Sequence, residues 1–555
     1  MEEDLFQNLR KRCQRAWERR SAWENIWSEC YEFSLPQREG GFSTASFVKK
    51  TSSDRLFDGT APDAVDQLAA SMLARLTPPW ARWFGLGGGV DLSEEERKQI
   101  APLLEKTTET IRSHFDRSSF AIEIHQCYLD LVTAGTATLL FEEAPSGDIS
   151  AFRFCAVPLF EMAFEETESG RIDASFRRYE TSLQNLKQRF GDKVLSPQVS
   201  SKIEKEPDFK VNVVEAVVPR STRSQGGFEY TAFIDNDNGL GLKDEAFDRV
   251  LKSGVFANSP FINFRWQKAP GEIYGRSPIM KALPDIKTAN KVVELVLKNA
   301  TIAVTGIWLA DDDGVLNPAN IKLIPGAIIP KAVGSKGLTP LEAPGRFDIS
   351  ELVLKDLRTR IKHALLADKL GQVEASNMTA TEVLERSAEM ARILGATYGR
   401  LQSELLTPLI LKAVAILRRR GEISDIWVDG HMVDIEYRSP LARQQAQQDA
   451  NNTLSWLTSI AGMGAEAGAA VNLKEAARWL GRTLGVPEAL IKTDEDIMMA
   501  NGADTNQSAA LLQSIPNMLA SVDNKGEAMP AIGSPNLNQS AALAETVPVP
   551  NKLNS

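Results

Sequence analysis

The stretch from Gly271 to Ala300 reads GEIYGRSPIMKALPDIKTANKVVELVLKNA and organises the rest of the chain. It begins as a turn with glycine and proline and continues as a helix whose apolar residues recur at the α-helical period. The lysines of this helix lie four and seven residues apart and therefore share a different face. Such a helix predicts either a contact with a neighbour or a surface that faces a polyanion. The apolar positions are Ile286, Ala289, Val292, Val293, Val296, Leu297 and Ala300, and the cationic positions are Lys287, Lys291 and Lys298.

A second amphipathic helix follows, and Asp348 with Glu351 forms a capping-box pattern at its start. Between the two helices, residues 302–345 contain short runs rich in valine, isoleucine and threonine, which predict a small β module. The order is helix, β insertion, helix, and both helices are basic on one side. The cations of the second helix are Lys355, Arg358 and Lys362.

The chain before this stretch predicts a helical part and then a β-rich part. Helices are predicted at about 3–33, 53–76, 93–116 and 120–133, and Ser93 with Glu96 forms a capping box at the start of the third. Strands are predicted at Ala137–Phe141, Ile149–Val157, Ile172–Tyr179, Val211–Val218, Phe228–Ile234 and Phe261–Trp266. The glycines at 85 and 87–89 lack the strand and helix of a phosphate-binding loop and predict a connector.

A long helical pattern follows residue 379, and Gly395, Gly399 and Pro408 are expected to bend it. Arg418–Arg420 and Gly421 mark its C-terminal end, although the arginines could also form a phosphate clamp. Residues 441–499 predict three further helices. Residues 501–555 contain no Phe, Trp or Tyr and predict a mobile tail. The chain as a whole is predicted to be mainly α with β insertions, an α+β protein.

A basic cluster in the first helix leaves two interpretations open. Its cations could contact nucleic acid. A solvated or intersubunit-paired face is favoured, because Glu18, Glu24 and Glu29 are interleaved with them. The cations are Arg10, Lys11, Arg12, Arg15, Arg19 and Arg20.

Composition sets the class of protein. A chain of 555 residues exceeds a single core and predicts two to four domains. Its formal net charge of −10 argues against bulk coating of nucleic acid but leaves room for local basic stripes. The four cysteines lack zinc-site spacing and predict free thiols in a reducing compartment. No apolar run reaches the roughly 20 residues that span a bilayer, and no signal peptide is predicted.

The sequence carries no catalytic signature. It contains no Gly-Lys dipeptide and hence no Walker A loop, and the HExxH and GxSxG motifs are absent as well. Each of the four histidines lies alone in a helix or strand pattern. We therefore expect no enzymatic activity, no cofactor and no metal site.

At the opening stretch the sequence resembles the portal, or head-to-tail connector, proteins of short-tailed, podovirus-type bacteriophages. Each matching motif is weak alone, but together they follow the family's order and separation over most of the chain up to about residue 500. The motifs are Gly271–Pro278 (GEIYGRSP) with the helix that begins DIK at Asp285, LTPP at 76–79 with Trp83-Phe84, LVTAGTATLLF at 131–141, MTATEV at 378–383, and QSELLTPL at 402–409.

The resemblance implies a dodecameric ring at one vertex of a capsid, with wing, stem, clip and crown regions. The wing would be residues 1–275 together with the long wing helix and its connection at 380–440. The stem helices would be 276–300 and 347–368, the clip 301–346, the tunnel loop 369–379 and the crown 441–500, followed by the tail at 501–555. Tyr274, Gly275, Arg276 and Pro278 would form the wing-to-stem hinge.

Under the resemblance, double-stranded DNA would pass through the ring without sequence readout, since tight or specific contacts would stop it sliding. The candidate DNA-channel residues are Lys287, Lys291, Lys298, Lys355, Arg358, Lys362, Lys369 and Gln372. Pairing of these cations with carboxylates of the adjacent subunit is the alternative, and it is slightly favoured.

The implied partners are further copies of the chain, the large terminase subunit (the packaging ATPase), tail adaptor proteins, major capsid and scaffolding proteins, and internal core or ejection proteins. The implied location is the virion, after assembly in the host cytoplasm and with no membrane. Two other classes are weighed against this one. Another virion part, such as a tail adaptor or internal core protein, fits the length and the helix–β–helix insertion less well. An enzyme of the packaging motor lacks its nucleotide motif.

Overall fold

The structure is a computed structural model that describes residues 2–41, 55–89, 91–167, 170–191, 197–220, 227–235, 249–305, 308–310, 338–340, 347–367, 395, 397–424, 428, 433–437, 440–462, 472–483 and 486. The chain forms two compact units, Met1–Ala470 and Val471–Ser555. The predicted tunnel loop, most of the predicted clip, part of the predicted crown (463–471, 484–485 and 487–500) and the tail lie outside the described residues.

Four helices open the first unit: α1 (Glu2–Ser34), α2 (Thr60–Leu76), α3 (Glu94–Asp116) and α4 (Phe120–Ala134). The predicted capping box of α3 is confirmed, since the Ser93 hydroxyl accepts from the backbone N–H of Glu96 at 3.3 Å and the Glu96 carboxylate accepts from the Ser93 N–H at 2.9 Å. Helix α4 lies at the centre of the main core, and ten of its fifteen residues are buried. It ends at Gly135, which adopts a left-handed φ of 79° as the predicted helix break requires.

The glycine-rich segment predicted as a connector is instead a strand, β1 (Phe84–Gly88). It pairs antiparallel with β12 (Val433–Tyr437), and Phe84 lies opposite Tyr437. A side chain at Gly87 would overlap the Glu436 carboxylate, and one at Gly88 would overlap the Arg97 side chain. The prediction was wrong because glycine is depleted in ordinary strands, whereas here it makes room for side chains from neighbouring elements.

The strands of the β-rich part before Pro278 form two antiparallel sheets. The three-stranded sheet has the order β3 (Phe152–Val157), β2 (Thr136–Glu143), β9 (Phe261–Arg265). The five-stranded sheet follows chain order through β4 (Met162–Glu166), β5 (Ile172–Ser182), β6 (Lys210–Pro219), β7 (Phe228–Ile234) and β8 (Val250–Phe256). Strands β4 and β8 were not predicted. Both are edge strands, and neither alternates between apolar and polar residues.

The five-stranded sheet is covered on both faces. On one face, Leu183 and Leu186 of α5 (Leu183–Phe190) pack with Val199 of α6 (Pro197–Lys205) against the sheet. On the other face lies the N-terminal half of α1, through a cluster that includes Phe6, Cys13, Ala16, Phe176, Val214 and Phe233. Helix α1 is therefore fixed to the sheet by its inner side.

The two predicted amphipathic helices are present as α7 (Pro278–Thr305) and α8 (Phe347–Ala364), and they pack against each other. Helix α7 continues five residues beyond the predicted end at 300, so the insertion begins later than predicted. Its described strands, β10 (Trp308–Ala310) and β11 (Leu338–Pro340), pair antiparallel. Helix α8 begins where predicted but ends at Ala364, before a turn in which Leu366 has a φ of 57°.

The long helical pattern contains a π-helical turn at Gln402–Leu406, directly before α9 (Thr407–Arg420). The predicted irregularity at Pro408 is confirmed, because proline lacks an N–H and its ring clashes with the carbonyl four residues earlier in a regular helix. Gly421 ends α9 with a φ of 73°, as predicted. Helix α10 (Pro440–Gly462) completes the described part of the first unit, and α11 (Leu473–Thr483) belongs to the second.

Candidate functional site

Three of the four predicted hinge residues, Tyr274, Gly275 and Pro278, are buried in a packed junction where the β-rich part meets the start of α7. The fourth, Arg276, is exposed and pairs with Glu272 at 2.5 Å.

Tyr274 is 1% exposed and lies among aromatic rings, with ring-centroid distances of 4.8 Å to Trp27, 5.9 Å to Trp23 and 5.5 Å to Phe164. Aromatic contacts of this kind add stability beyond the area they bury. The junction is therefore anchored from the far side by α1, which supplies both tryptophans.

Two glycines cross at the centre of the junction. The backbone N–H of Gly275 donates to the Thr136 hydroxyl at 2.8 Å, and the N–H of Trp266 donates to the Gly135 carbonyl at 2.9 Å. A Cβ atom on either Gly135 or Gly275 would overlap backbone atoms of the other segment. The glycines of the AGT and YGRSP motifs thus serve the same close crossing.

A buried arginine connects the junction to the π-helical turn. Arg265, at the end of β9, is fully buried and donates to both carboxylate oxygens of Glu404, from Nε at 3.2 Å and from Nη2 at 2.6 Å. The same guanidinium donates to the carbonyls of Ile273 and Gly170, each at 2.9 Å. Arg400 pairs with Glu404 at 3.2 Å. One buried guanidinium therefore joins three segments that are distant in sequence, at residues 170, 265–273 and 404.

The pair of helices α7 and α8 is well packed at the junction and loses cover away from it. Ile286 and Ala289 of α7 are buried, as are Leu357 and Ile361 of α8. Toward the β insertion, Leu354 of α8 is still buried and Val296 of α7 is half-buried, but four large apolar residues are exposed. These are Leu295 at 50%, Leu297 at 50%, Leu352 at 72% and Val353 at 42%.

Four of the predicted channel cations have carboxylate partners within the chain. Lys287 pairs with Glu29 of α1 at 2.9 Å. Lys291 and Lys298 both pair with Glu294, at 2.9 Å and 2.5 Å, and their hydrogen bonds lower the pKa of that carboxyl. Arg358 pairs with Asp58, 300 residues earlier in the chain, at 2.8 Å.

Two of the predicted cations remain, Lys355 and Lys362. Both are exposed, and neither forms an ion pair with a carboxylate in the described part of the chain. They line one groove together with Arg358, on the side of α8 that faces Val296 of α7. Lys369 and Gln372 lie outside the described residues.

A polar residue that the sequence analysis missed ties the helix pair to the start of α2. The Asn290 side-chain oxygen accepts from the backbone N–H groups of Phe57 at 2.6 Å and Asp58 at 3.1 Å, and its Nδ2 donates to the Arg55 carbonyl at 2.9 Å. With the Arg358–Asp58 pair, this fastens residues 55–58 to both helices. The available signal was a single asparagine beside the apolar stripe of α7, which is the pattern of a buried polar contact.

Potential metal ligands do not cluster in the part of the chain that the structure describes. No group of three or more His, Cys, Asp and Glu side chains among the described residues could hold a metal ion. All four cysteines are free thiols, as predicted, and burial raises the pKa of Cys13 and of Cys30 to about 12. Among the described helices, none is long and apolar enough to cross a membrane.

The chain is similar to curated phage proteins along most of its length. It is 26% identical over 406 residues to the "Probable portal protein" of Bordetella phage BPP-1, covering 70% of each chain. It is 22% identical to the portal protein of Enterobacteria phage T3, covering 73% of this chain and 74% of the relative. It is 23% identical to the portal protein of Salmonella phage epsilon15, covering 77% of each chain.

A family model described as the bacteriophage head to tail connecting protein matches residues 6–491. This match includes both sheets, the junction and the helix pair. The chain therefore belongs to the bacteriophage head to tail connecting proteins and has the role of a portal, the connector between a phage head and its tail.

Proposed function

We propose that copies of the chain form a ring, a dodecamer, at one capsid vertex, and that double-stranded DNA passes through it during packaging and ejection. The exposed apolar residues near the β insertion carry this proposal. They lie on two different helices, Leu295 and Leu297 on α7 and Leu352 and Val353 on α8. Exposed apolar residues on a rigid helix pair favour burial by a neighbour, and a contact between unlike faces closes into a ring.

Within such a ring, Lys355 and Lys362 are the best candidates for the channel wall. Exposed cations without a carboxylate partner can meet phosphates at no cost in broken ion pairs. A few isolated charges in a chain of net charge −10 would give loose, salt-dependent contact, which suits sliding DNA. Lys287, Lys291, Lys298 and Arg358 would each first have to leave an intrachain partner.

The other partners follow from family membership. The large terminase subunit would dock on the clip during packaging, and tail adaptor proteins would replace it afterwards. Capsid, scaffolding and internal core or ejection proteins would contact the ring in the virion, after assembly in the host cytoplasm. The role is structural, so we expect no ATP hydrolysis above background from the purified protein.

Electron microscopy of the purified protein tests the ring. We expect a twelve-fold particle with a central channel. A monomer, or a rod or plug without a channel, would contradict the proposal and favour a tail adaptor or an internal core protein.

Charge reversal tests the channel wall. In particles carrying Lys355→Glu and Lys362→Glu, we expect nuclease-protected DNA to fall severalfold, because the channel wall would repel phosphates. Arg360→Glu with Lys210→Glu is the charge-matched control, since both cations are exposed but already paired, with Asp356 at 2.7 Å and with Glu180 at 2.9 Å. Equal DNA content in both particles would remove the two lysines from the channel.

A further inference from the structure

The basic cluster of α1 divides into cations that point inward and cations that do not. Arg12 pairs with Glu165 of β4 at 2.8 Å. Arg20 is 3% exposed, lies over the Trp17 ring at 4.5 Å, and pairs with Glu24. These two arginines attach α1 to the rest of the first unit and are not available to a partner.

Of the other four cations, Arg10 is half-buried and lies over the Phe6 ring at 5.9 Å. The remaining three lie on the outer side of α1, and we call them the α1 ridge: Lys11, Arg15 and Arg19. All three are exposed, and no carboxylate in the described part of the chain lies within ion-pair distance of them. They are four residues apart, so they follow one another at about 6 Å along the helix axis. The ridge is a row of charges about 12 Å long that winds about 80° around the helix axis, since each step of four residues exceeds one turn by about 40°.

The glutamates interleaved with this cluster do not neutralise the ridge. Glu24 pairs with Arg20, and Glu29 pairs with Lys287 on α7. Glu18 lies beside the ridge and accepts a hydrogen bond from Gln14 at 3.0 Å. Two of the three glutamates are therefore engaged elsewhere, so they give less support to a solvated or intersubunit-paired face than the sequence suggested.

The inner side of α1 makes the ridge a fixed feature. Phe6, Cys13 and Ala16 are each at most 5% exposed against the five-stranded sheet. The helix therefore cannot rotate to hide its cations, and only side-chain motion is lost when a partner binds.

We propose that the α1 ridge binds the phosphates of double-stranded nucleic acid without sequence preference, at a surface separate from the α7–α8 helix pair. The phosphates of one strand follow each other at about 3.4 Å along a duplex axis, so a ridge of about 12 Å spans three to four of them. A convex row of three cations reaches phosphates and not base edges, and it supplies position without readout. The proposal does not depend on DNA passing between copies of the helix pair.

Salt-dependent binding tests it. A fluorescently labelled duplex of about 30 base pairs is titrated with the full-length protein at 50–200 mM salt and followed by anisotropy. The ridge variant carries Lys11→Gln, Arg15→Gln and Arg19→Gln. The slope of log association constant against log salt concentration is negative, and loss of about three phosphate contacts makes it less steep by about 2.7. We also expect the affinity at the lowest salt to fall at least tenfold.

The matched control removes three other exposed cations, through Arg82→Gln, Lys210→Gln and Arg360→Gln. Each of these is paired with a carboxylate. Net charge changes equally in both variants, so a bulk charge effect would weaken both alike. We expect the control to change affinity less than threefold. A second variant, Lys355→Gln with Lys362→Gln, separates the ridge from the proposed channel wall.

Three results would overturn the proposal: no binding of duplex by the unmodified protein, equal losses in the ridge and control variants, or loss only in the Lys355 and Lys362 variant. Binding of poly-glutamate in preference to duplex would also overturn it and would assign the ridge to an acidic protein. Circular dichroism of the ridge variant is expected to match the unmodified protein, because the three positions are exposed.

Discussion

The junction at Arg265 and the outer part of the α7–α8 pair contain the same kinds of residue, charged and large apolar ones, but differ in whether these residues are buried and paired. Arg265 is fully buried with four acceptor groups around it, whereas Lys355 and Lys362 are exposed and pair with no described carboxylate. Tyr274 is enclosed by aromatic rings, whereas Leu352 is 72% exposed. The first region is complete within one chain, and the second is not.

We expect the junction to contribute mainly to the stability of one chain, and the outer helix pair to contribute mainly to contacts with other molecules. Buried and satisfied charge makes the junction costly to alter, because any change leaves a group without its partner. Substitution of exposed residues on the helix pair should change the stability of a single chain little. Their effects should appear in the assembly of several chains or in contact with DNA. Three predictions test this contrast.

The largest effect is expected for Arg265→Met. It removes the buried cation from Glu404 and from Glu166, which lies 3.5 Å from Arg265. Among the described cations, only Arg400 and Lys268 then remain paired with these carboxylates. The substitution also leaves the Ile273 and Gly170 carbonyls without this donor, and we expect it to lower the free energy of unfolding by about 3–5 kcal/mol. Urea denaturation measures this loss.

Arg358→Met is the matched comparison, since Arg358 also pairs with a carboxylate but is partly exposed, and we expect a loss of about 1 kcal/mol or less. Similar losses of unfolding free energy in Arg265→Met and Arg358→Met would contradict the distinction between the junction and the helix pair.

Gly275→Ala comes next. The new methyl group would overlap the Gly135 carbonyl, and relieving that overlap should cost about 3 kcal/mol. Gly254→Ala, in strand β8, is the control, because no atom lies within 4 Å of the position its Cβ would take. We expect a lower denaturation midpoint only in the first variant. If both variants unfold at the same midpoint, the glycine crossing is not required.

The smallest effect is a pH dependence from Lys412 of α9, which is buried without a described carboxylate partner. Its Nζ donates to the Ser259 carbonyl at 2.8 Å, and burial lowers its pKa from 10.5 to about 7. Between these values the unfolded chain holds a proton that the folded chain does not, so the free energy of unfolding rises with pH. From pH 7 to 9 we expect a rise of about 2 kcal/mol relative to Lys412→Met. Parallel pH profiles for the two proteins would contradict this.

Local patterns in the sequence predicted the parts of the fold that local physics decides. The period of Ile286 and Ala289 predicted α7, and the Ser93–Glu96 capping box predicted the start of α3. Strand β1 was missed because its glycines are explained only by Glu436 and Arg97, which lie elsewhere in the chain.

The candidate site divides in the same way. The cations of both helices were predicted from their spacing, but the sequence could not show which of them pair with Glu29, Glu294 or Asp58. The roles of Arg265 and Asn290 were also missed, because each depends on contacts between segments more than a hundred residues apart.

The pairing of β1 with β12 has a consequence for synthesis. Gly88 lies opposite Val433, about 345 residues later in the chain, and at about 5–20 residues per second a ribosome needs roughly 20–70 s to supply the partner. During that time β1 lacks β12, its hydrogen-bonding partner in this two-stranded sheet. An open edge can pair with the edge of another nascent chain, so polysomes that crowd such chains together carry a risk of misassembly before any copy is finished.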